Sequence, residues 1–347
     1  MNQTIIVFIL LNLMLISLIG LFALNRFDLF FKQYLFWLIS FALFFSFLYI
    51  DYRFIFEKYF TYLILTFSFL ILILVLFTPG HLKSWFNIFG FALQPAEFSK
   101  IGFFLLLANF LSHYQLDLVN PIYLIFSLIT LLPYLFLILL QPDWGMGFLY
   151  FLIWFLVIIS FLSRKELIYG SLILILIFSF LWFFVLKDYQ KERILIFFRP
   201  ETDPLKTGYN LQQIKLSLAT SSFFGKGVGL GEIGRLGFLP SAPTDFILTF
   251  LIEERGIFIF IIYSFLIFLL INELIKAQKF HKNPLIKNFL FIASQYFLAK
   301  YFLTTLVNFG IFPIIGLPVP FLSYGGSYLT FDLWFLGILQ SLTKERA

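Results

Sequence analysis

The sequence predicts an all-α polytopic membrane protein with about ten transmembrane helices. Hydrophobic residues make up 61% of the 347 positions and only 12% are charged, which leaves too little polar surface for a soluble domain of this size. The windows 118–140 and 167–186 carry no charge at all, and each is long enough to cross about 30 Å of hydrocarbon. The chain has no cysteine, so cysteine usage says nothing about its redox compartment.

The predicted spans follow the apolar runs in order, within one membrane domain covering 1–347. The first run has no basic segment before it and is too long for a cleaved signal peptide, so it is interpreted as a span. The ten predicted spans are 4–24, 31–50, 59–78, 95–113, 119–140, 144–162, 167–187, 243–272, 288–310 and 319–342.

Lysine and arginine in the short loops predict that both termini face the cytoplasm. The basic residues on that side are Arg53, Lys58, Arg164, Lys165, Lys276, Lys279, Lys282, Lys287, Lys344 and Arg346, against Arg26, Lys32 and Lys83 on the other. The segment 188–242 is then a large extracytoplasmic loop, and long loops are exempt from this charge rule. Because long ordered loops are usually functional, we expect it to contribute to the site.

A polar turn leads into the eighth predicted span and carries Asp245. Pro243 and Thr244 precede the acid and are typical of a helix start. A helix N-terminus favours the ionised carboxylate and apolar surroundings oppose it, which together predict a base usable near neutral pH. An ionisable group at the edge of the hydrocarbon is a functional candidate. The structural alternative is a first-turn Asp that caps the helix.

Thr249 and Glu253 follow Asp245 at i+4 and i+8. Helical spacing would place them on the same face, with Glu253 about 12 Å deeper. Two interpretations of Glu253 stay open: the triplet 253–255 pairs internally, or Glu253 lines a polar cavity.

Glu97 and Lys100 open the fourth predicted span at i,i+3 spacing, which predicts an ion pair on one helix face. The alternative is that Lys100 reaches an anionic head group.

Asp143 lies in a Pro-Asp-x-Gly turn between the fifth and sixth spans. Such a turn needs no functional explanation unless the acid points back into the bundle.

The run 318–327 precedes the last helix and combines two prolines with Gly325 and Gly326. Irregular backbone at membrane depth is tolerated only inside protein or beside a water-filled cavity. A re-entrant structural turn explains the helix breakers, but it explains less well why Ser323, Tyr324 and Ser327 cluster with them.

Several other classes of site lack support. The sequence has no zinc-ligand spacing, Walker A loop, Ser-His-Asp set or dinucleotide fingerprint. The alternating glycines of 225–231 do not link a strand to a helix, so they are weak evidence for a nucleotide site. The basic residues are dispersed over loops, which argues against nucleic acid.

Five blocks of the chain share one family pattern. They are Ser84-Trp85 with Gln94-Pro95-Ala96-Glu97 and Lys100; Gln141-Pro142-Asp143-Trp144-Gly145; Gly208-Tyr209 with Gln213 and Gly225-Lys226-Gly227; Leu239-Pro240 with Thr244-Asp245-Phe246-Ile247; and Asn308-Phe309-Gly310 with Pro313 and Gly316 to Ser327. In this order they resemble the SEDS family of bacterial shape, elongation, division and sporulation proteins, typified by RodA and FtsW. The resemblance covers nearly the whole chain, and its last block is highly specific.

The resemblance implies a peptidoglycan glycosyltransferase of the bacterial cytoplasmic membrane that polymerises lipid II, with Asp245 as the general base. Its expected partner is a class B penicillin-binding protein. The resemblance assigns no definite cofactor, and a divalent cation (Mg or Mn) stays open as an aid to the leaving diphosphate. The candidate substrate-binding residues are Glu97, Lys100, Arg193, Gln213, Lys215, Lys226, Ser323, Tyr324, Gly325, Gly326 and Ser327, with Arg235 as a further candidate for the diphosphate.

The chain departs from the family pattern at Ser84, Ser241, 219–222 and Arg255, but not at Asp245. The block Gly225-Lys226-Gly227 and the short tails favour the RodA type, whereas the further glycines up to Gly231 favour FtsW; the RodA type is preferred.

Two other classes of protein stay open. A lipid II flippase would use buried charges as a translocation path, and a non-catalytic scaffold would only recruit synthases.

Overall fold

The computed structural model describes residues 1–49, 56–78, 83–88, 91–115, 118, 120–162, 191, 195–199, 201 and 207–344. In these ranges it is a bundle of long helices with one small hairpin. The helices are α1 (Gln3–Ala23), α2 (Phe27–Phe47), α3 (Lys58–Leu74), α4 (Pro95–Tyr114), α5 (Pro121–Leu140), α6 (Trp144–Ile159), α7 (Thr207–Ala219), α8 (Glu232–Arg235), α9 (Ile247–Phe280), α10 (Pro284–Asn308) and α11 (Gly326–Ser341); the antiparallel strands are β1 (Phe86–Ile88) and β2 (Phe91–Leu93).

Six helices of the described ranges are long and apolar enough to cross a membrane: α1, α2, α3 with the turn after it, α5, α9 and α10. The more polar α4 and the shorter α6 and α11 pack among them: α4 contacts α3 and α10, α6 contacts α5 and α10, and α11 lies along α2. The seventh predicted span, 167–187, lies outside the described residues. The end of the bundle at which α1 ends and α9 begins is predicted to face outside the cell and is named the outer end.

Side-chain caps explain where several helices begin. The side-chain oxygens of Asn2, Asn120 and Asn283 accept hydrogen bonds of 2.9–3.0 Å from the backbone N–H two residues later, which satisfies donors that the first helical turn leaves without a partner. Asp143 caps α6 in the same way, accepting from the Met146 N–H at 3.1 Å.

Several predicted boundaries differ from the observed helices. The second span is predicted at 31–50, but α2 runs from Phe27 to Phe47. The eighth span was predicted at 243–272, but residues 241–246 form turns and α9 runs from Ile247 to Phe280. The ninth begins at Pro284 rather than 288, because Asn283 and Pro284 supply the cap and first turn. The last helix begins at Gly326 rather than 319, since the prolines at 318 and 320 cannot continue a helix.

The long helix α9 is divided at Gly256, whose φ of 73° is not helical. An unbroken helix of 34 residues would be about 51 Å long, well beyond about 30 Å of hydrocarbon. A Cβ at position 256 would lie 1.9 Å from the carbonyl oxygen of Phe223. Glycine therefore permits both the break and the close approach of the loop backbone.

Candidate functional site

Asp245 lies in the turn before α9, with its side chain partly buried at the outer end. The turn is closed by hydrogen bonds of 3.1 Å from the N–H groups of Thr244 and Phe246 to the Ser241 carbonyl. Burial raises the pKa of Asp245 from 3.8 to about 6, opposed in part by a hydrogen bond with Thr244. Because Asp245 precedes the helix, the predicted first-turn position is wrong, and helical spacing does not relate it to Glu253.

Two other parts of the chain hold this turn. The backbone N–H of Tyr324 donates to the Pro243 carbonyl at 2.8 Å, and the Ser323 hydroxyl donates to the Thr244 carbonyl. The Asn308 amide donates to the Asp245 carbonyl at 2.9 Å. The backbone on both sides of the carboxylate is therefore tied to α10 and to the segment before α11.

The segment 318–325 and the first residues of α11 bring the predicted residues Ser323, Tyr324, Gly325, Gly326 and Ser327 to the outer end, where Ser323 and Tyr324 contact the turn before Asp245. Ser323 and Ser327 are buried, and Tyr324 is partly exposed. The Ser327 hydroxyl accepts a hydrogen bond of 3.0 Å from the Gln94 N–H at the start of α4.

Gln94 also links α4 to α6. Its side-chain amide donates to Asp143, the residue that caps α6, and burial raises the pKa of Asp143. Asp143 thus points back into the bundle, where it joins two helix starts.

A buried ion cluster lies one turn below the start of α4. The Lys100 ammonium is 2.6 Å from Glu97 Oε2 and 2.5 Å from Asp332 Oδ1, and it donates to the Tyr296 hydroxyl at 2.8 Å. Lys300 is 3.0 Å from Asp332 Oδ2. The four ionic side chains are at most 1% exposed, and two ammonium groups balance two carboxylates, which is how buried charge is tolerated.

The cluster confirms the predicted Glu97–Lys100 pair and adds partners that sequence reasoning missed. The three N–H donors of the Lys100 ammonium are occupied by Glu97, Asp332 and Tyr296. A substrate contact by Glu97 or Lys100 therefore stays a prediction and would require the cluster to open. A single charge inside each of the last two predicted spans was the signal that could have found Lys300 and Asp332.

The loop before Asp245 is fastened to α9 through Glu253, which is fully buried. Its Oε1 accepts from the Lys226 ammonium at 2.8 Å and from the Ile233 N–H at 3.1 Å, and its Oε2 accepts from the Ser217 hydroxyl at 3.3 Å. The interpretation that 253–255 pair internally is wrong for Glu253, because its cationic partner is Lys226.

The remaining loop candidates do not converge on one point. Gln213 is partly buried and Lys215 is exposed, both on α7, and Arg235 is exposed at the end of α8. Arg193 lies outside the described residues. An open cavity of about 510 Å³ is lined by Lys226, Gly229, Leu230, Glu232, Arg235 and Leu236.

The residues described offer no group of three or more His, Asp or Glu side chains arranged to hold a metal ion.

A family model described as "Cell cycle protein", which groups FtsW, RodA and SpoVE, matches residues 1–347. The chain belongs to the FtsW/RodA/SpoVE family. A probable peptidoglycan glycosyltransferase FtsW of Trichlorobacter lovleyi is 30% identical over 79% of this chain and 72% of its own length. The peptidoglycan glycosyltransferase MrdB of Escherichia coli K12 is 30% identical over 76% of this chain and 71% of its own.

Solved structures agree with this membership. One from a study of how a peptidoglycan synthase complex coordinates polymerization and crosslinking has a TM-score of 0.81 and 26% identity, over 98% of this chain and 97% of that chain. The rod shape determining protein RodA of Thermus thermophilus has a TM-score of 0.69 and 21% identity, over 98% and 96%. The predicted all-α polytopic membrane fold is thereby confirmed for this FtsW/RodA/SpoVE family member.

Proposed function

We propose that this chain is a peptidoglycan glycosyltransferase that polymerises lipid II at the outer face of the cytoplasmic membrane, with Asp245 as general base. Two relatives at 30% identity are named as peptidoglycan glycosyltransferases, the first as a probable one. The similarity covers more than two thirds of the length of each. The observation that carries the proposal is a partly buried carboxylate at the outer end, in a turn tied to α10 and to the segment 318–325.

The reaction needs one base. The 4-hydroxyl oxygen of the acceptor sugar attacks the anomeric carbon of the donor while Asp245 takes the hydroxyl proton. The bond from the anomeric carbon to the diphosphate breaks, the electron pair leaves with the diphosphate, and the anomeric centre is inverted. With a pKa of about 6, the carboxylate is mostly ionised above pH 7 and still basic enough to accept a proton. Asp245 then returns the proton to water.

The leaving diphosphate needs positive charge. Lys215 and Arg235 are exposed, although the Arg235 guanidinium also donates to the Gly229 carbonyl. Lys226, at 23% side-chain exposure, lies between Glu253 and the loop surface. Charge-assisted hydrogen bonds from such groups are the strongest way to hold a phosphate.

We further propose that residues 323–327 contact the sugar or diphosphate next to Asp245.

The biological setting is also a proposal. A class B penicillin-binding protein as partner is supported by the similarity to a complex that couples polymerization with crosslinking. The block Gly225-Lys226-Gly227 favours the RodA type, with a role in elongation and shape, although relatives named FtsW and MrdB are equally similar at 30% identity.

Purified protein incubated with lipid II, with and without the proposed partner, tests the proposal. We expect glycan strands, resolved by length on a gel, and none from Asp245→Asn. Transfer of lipid II across a vesicle bilayer without glycan would favour a flippase. Neither transfer nor glycan, with or without the partner, would favour a scaffold.

A further inference from the structure

The irregular segment between α10 and α11 is held by side chains from three other helices. The Ser17 hydroxyl of α1 donates to the Leu322 carbonyl at 2.8 Å, and the Tyr263 hydroxyl of α9 donates to the Pro320 carbonyl at 3.3 Å. Backbone polar groups away from water need such partners, because leaving them unpaired is costly.

Gln33 of α2 makes the most extensive of these contacts. Its side chain is fully buried; Nε2 donates to the Ser323 carbonyl at 3.1 Å, and Oε1 accepts from the Gly325 N–H at 3.1 Å. One amide therefore brackets residues 323–325, with both its donor side and its acceptor side used. The two contacts also fix the orientation of the amide. The reverse orientation would place the amide nitrogen against the Gly325 N–H and the amide oxygen against the Ser323 carbonyl.

The residues that Gln33 brackets are those that hold the turn before Asp245. The Ser323 hydroxyl donates to the Thr244 carbonyl, and the Tyr324 N–H donates to the Pro243 carbonyl at 2.8 Å. A displacement of 323–325 would therefore move the backbone immediately before the carboxylate. Gln33 is two contacts away from Asp245 and touches it nowhere.

We propose that Gln33 is a positioning residue for Asp245. It sets the location of the general base by fixing the segment 323–325, and this inference rests on the proposed function. A positional error of about 1 Å can cost on the order of 100-fold in rate, so the loss of this amide affects the rate of glycan formation more than the affinity for lipid II.

A matched control lies on the same helix. The Ser40 hydroxyl of α2 is buried and is 3.2 Å from the Thr330 hydroxyl of α11. It links α2 to α11 itself, whereas Gln33 links α2 to the segment before α11, and it makes no contact with 323–325. Ser40→Ala therefore removes a polar contact between α2 and α11 without disturbing the bracketed segment.

The first experiment compares the unsubstituted protein, Gln33→Met and Ser40→Ala in lipid II polymerisation across substrate concentration and pH. We expect Gln33→Met to lower kcat at least about 10-fold with little change in KM, and to shift the pH midpoint of activity. Ser40→Ala should keep the kcat and midpoint of the unsubstituted protein. Equal kinetics for the two variants would overturn the proposal. If Gln33→Met does not fold, Gln33→Asn, which keeps the amide but is one methylene shorter, should show the same loss.

The second experiment does not depend on activity. Because the chain has no cysteine, Tyr324→Cys introduces a single thiol, and its backbone N–H still reaches Pro243. We expect Gln33→Met to raise the rate of thiol labelling roughly 5- to 10-fold, the equivalent of about one lost hydrogen bond, and Ser40→Ala to leave it unchanged. Faster labelling, together with an unsubstituted protein that makes no glycan, would refute the proposed function but not the holding role of Gln33. Unchanged labelling would refute the holding role itself.

Discussion

The side-chain amide of Asn308 bridges Asp245 and Thr249 at the start of α9. Its Nδ2 donates to the Asp245 carbonyl at 2.9 Å, and its Oδ1 accepts from the Thr249 N–H at 3.0 Å. The backbone of the proposed base is thus fixed by α10 through a contact that does not involve the carboxylate.

For this reason Asp245→Asn is expected to leave the fold intact while removing basicity. We expect glycan polymerisation to fall by about 10²–10⁴-fold, measured with purified protein at saturating lipid II. Glycan formation near the unsubstituted rate would exclude Asp245 as the base.

The pH dependence of stability provides a control for that variant. Because the folded pKa of Asp245 is raised to about 6, the folded state binds the proton more tightly than the unfolded state. Stability is then lost as pH rises from about 4 to about 6. At pH 7.5 we expect the Tm of Asp245→Asn in detergent to equal or exceed that of the unsubstituted protein.

The rate of polymerisation should rise with pH through a midpoint near 6, since the carboxylate must be ionised to act as a base. The measurement is kcat/KM for lipid II between pH 4.5 and 8, at constant ionic strength. A rate that is flat across this range, or that falls as pH rises through 6, would contradict a base with this pKa.

The buried cluster predicts non-additive losses of stability. Lys100→Met leaves Glu97 and Asp332 with one ammonium fewer, and breaking a buried pair from one side costs about 3–5 kcal/mol. The double variant Lys100→Met with Glu97→Gln keeps Lys300 and Asp332 balanced at 3.0 Å, so we expect it to lose less than the two single losses combined.

A double-mutant cycle of thermal stability in detergent measures this coupling. If Lys100→Met kept its Tm and lost activity while Glu97→Gln was silent, Lys100 would be a substrate ligand rather than a member of a structural cluster.

Substitutions of Lys226 and Lys215, both in the loop before Asp245, are expected to differ in their effect on thermal stability. Lys226→Ala leaves the buried Glu253 without its ammonium partner, so we expect a fall in Tm together with weaker use of lipid II. Lys215→Ala removes an exposed charge on α7 and should raise KM for lipid II without a change in Tm. Titrations in neutral and anionic lipid separate substrate from membrane: a KM defect that vanishes in neutral lipid would mean that these lysines contact head groups.

Local patterns predicted several parts of the site. The apolar runs located most of the spans, i,i+3 spacing predicted the Glu97–Lys100 pair, and the polar turn placed Asp245 at the outer start of α9. Each of these depends on residues close together in the chain, and helical periodicity relates such residues directly.

The sequence by itself determined that the chain spans a membrane, where most helices run, and that the Asp245 carboxylate lies near the start of a membrane helix. Only the tertiary structure decided that Lys100 meets Asp332, that Gln33 brackets residues 323–325, and that Glu253 takes Lys226 as its partner. The Lys100–Asp332 contact joins residues 232 positions apart, and the two contacts of Gln33 join residues 290 and 292 positions apart. Periodicity reveals which face of a helix is apolar but not which helix will face it, so such partners are set only when the helices pack.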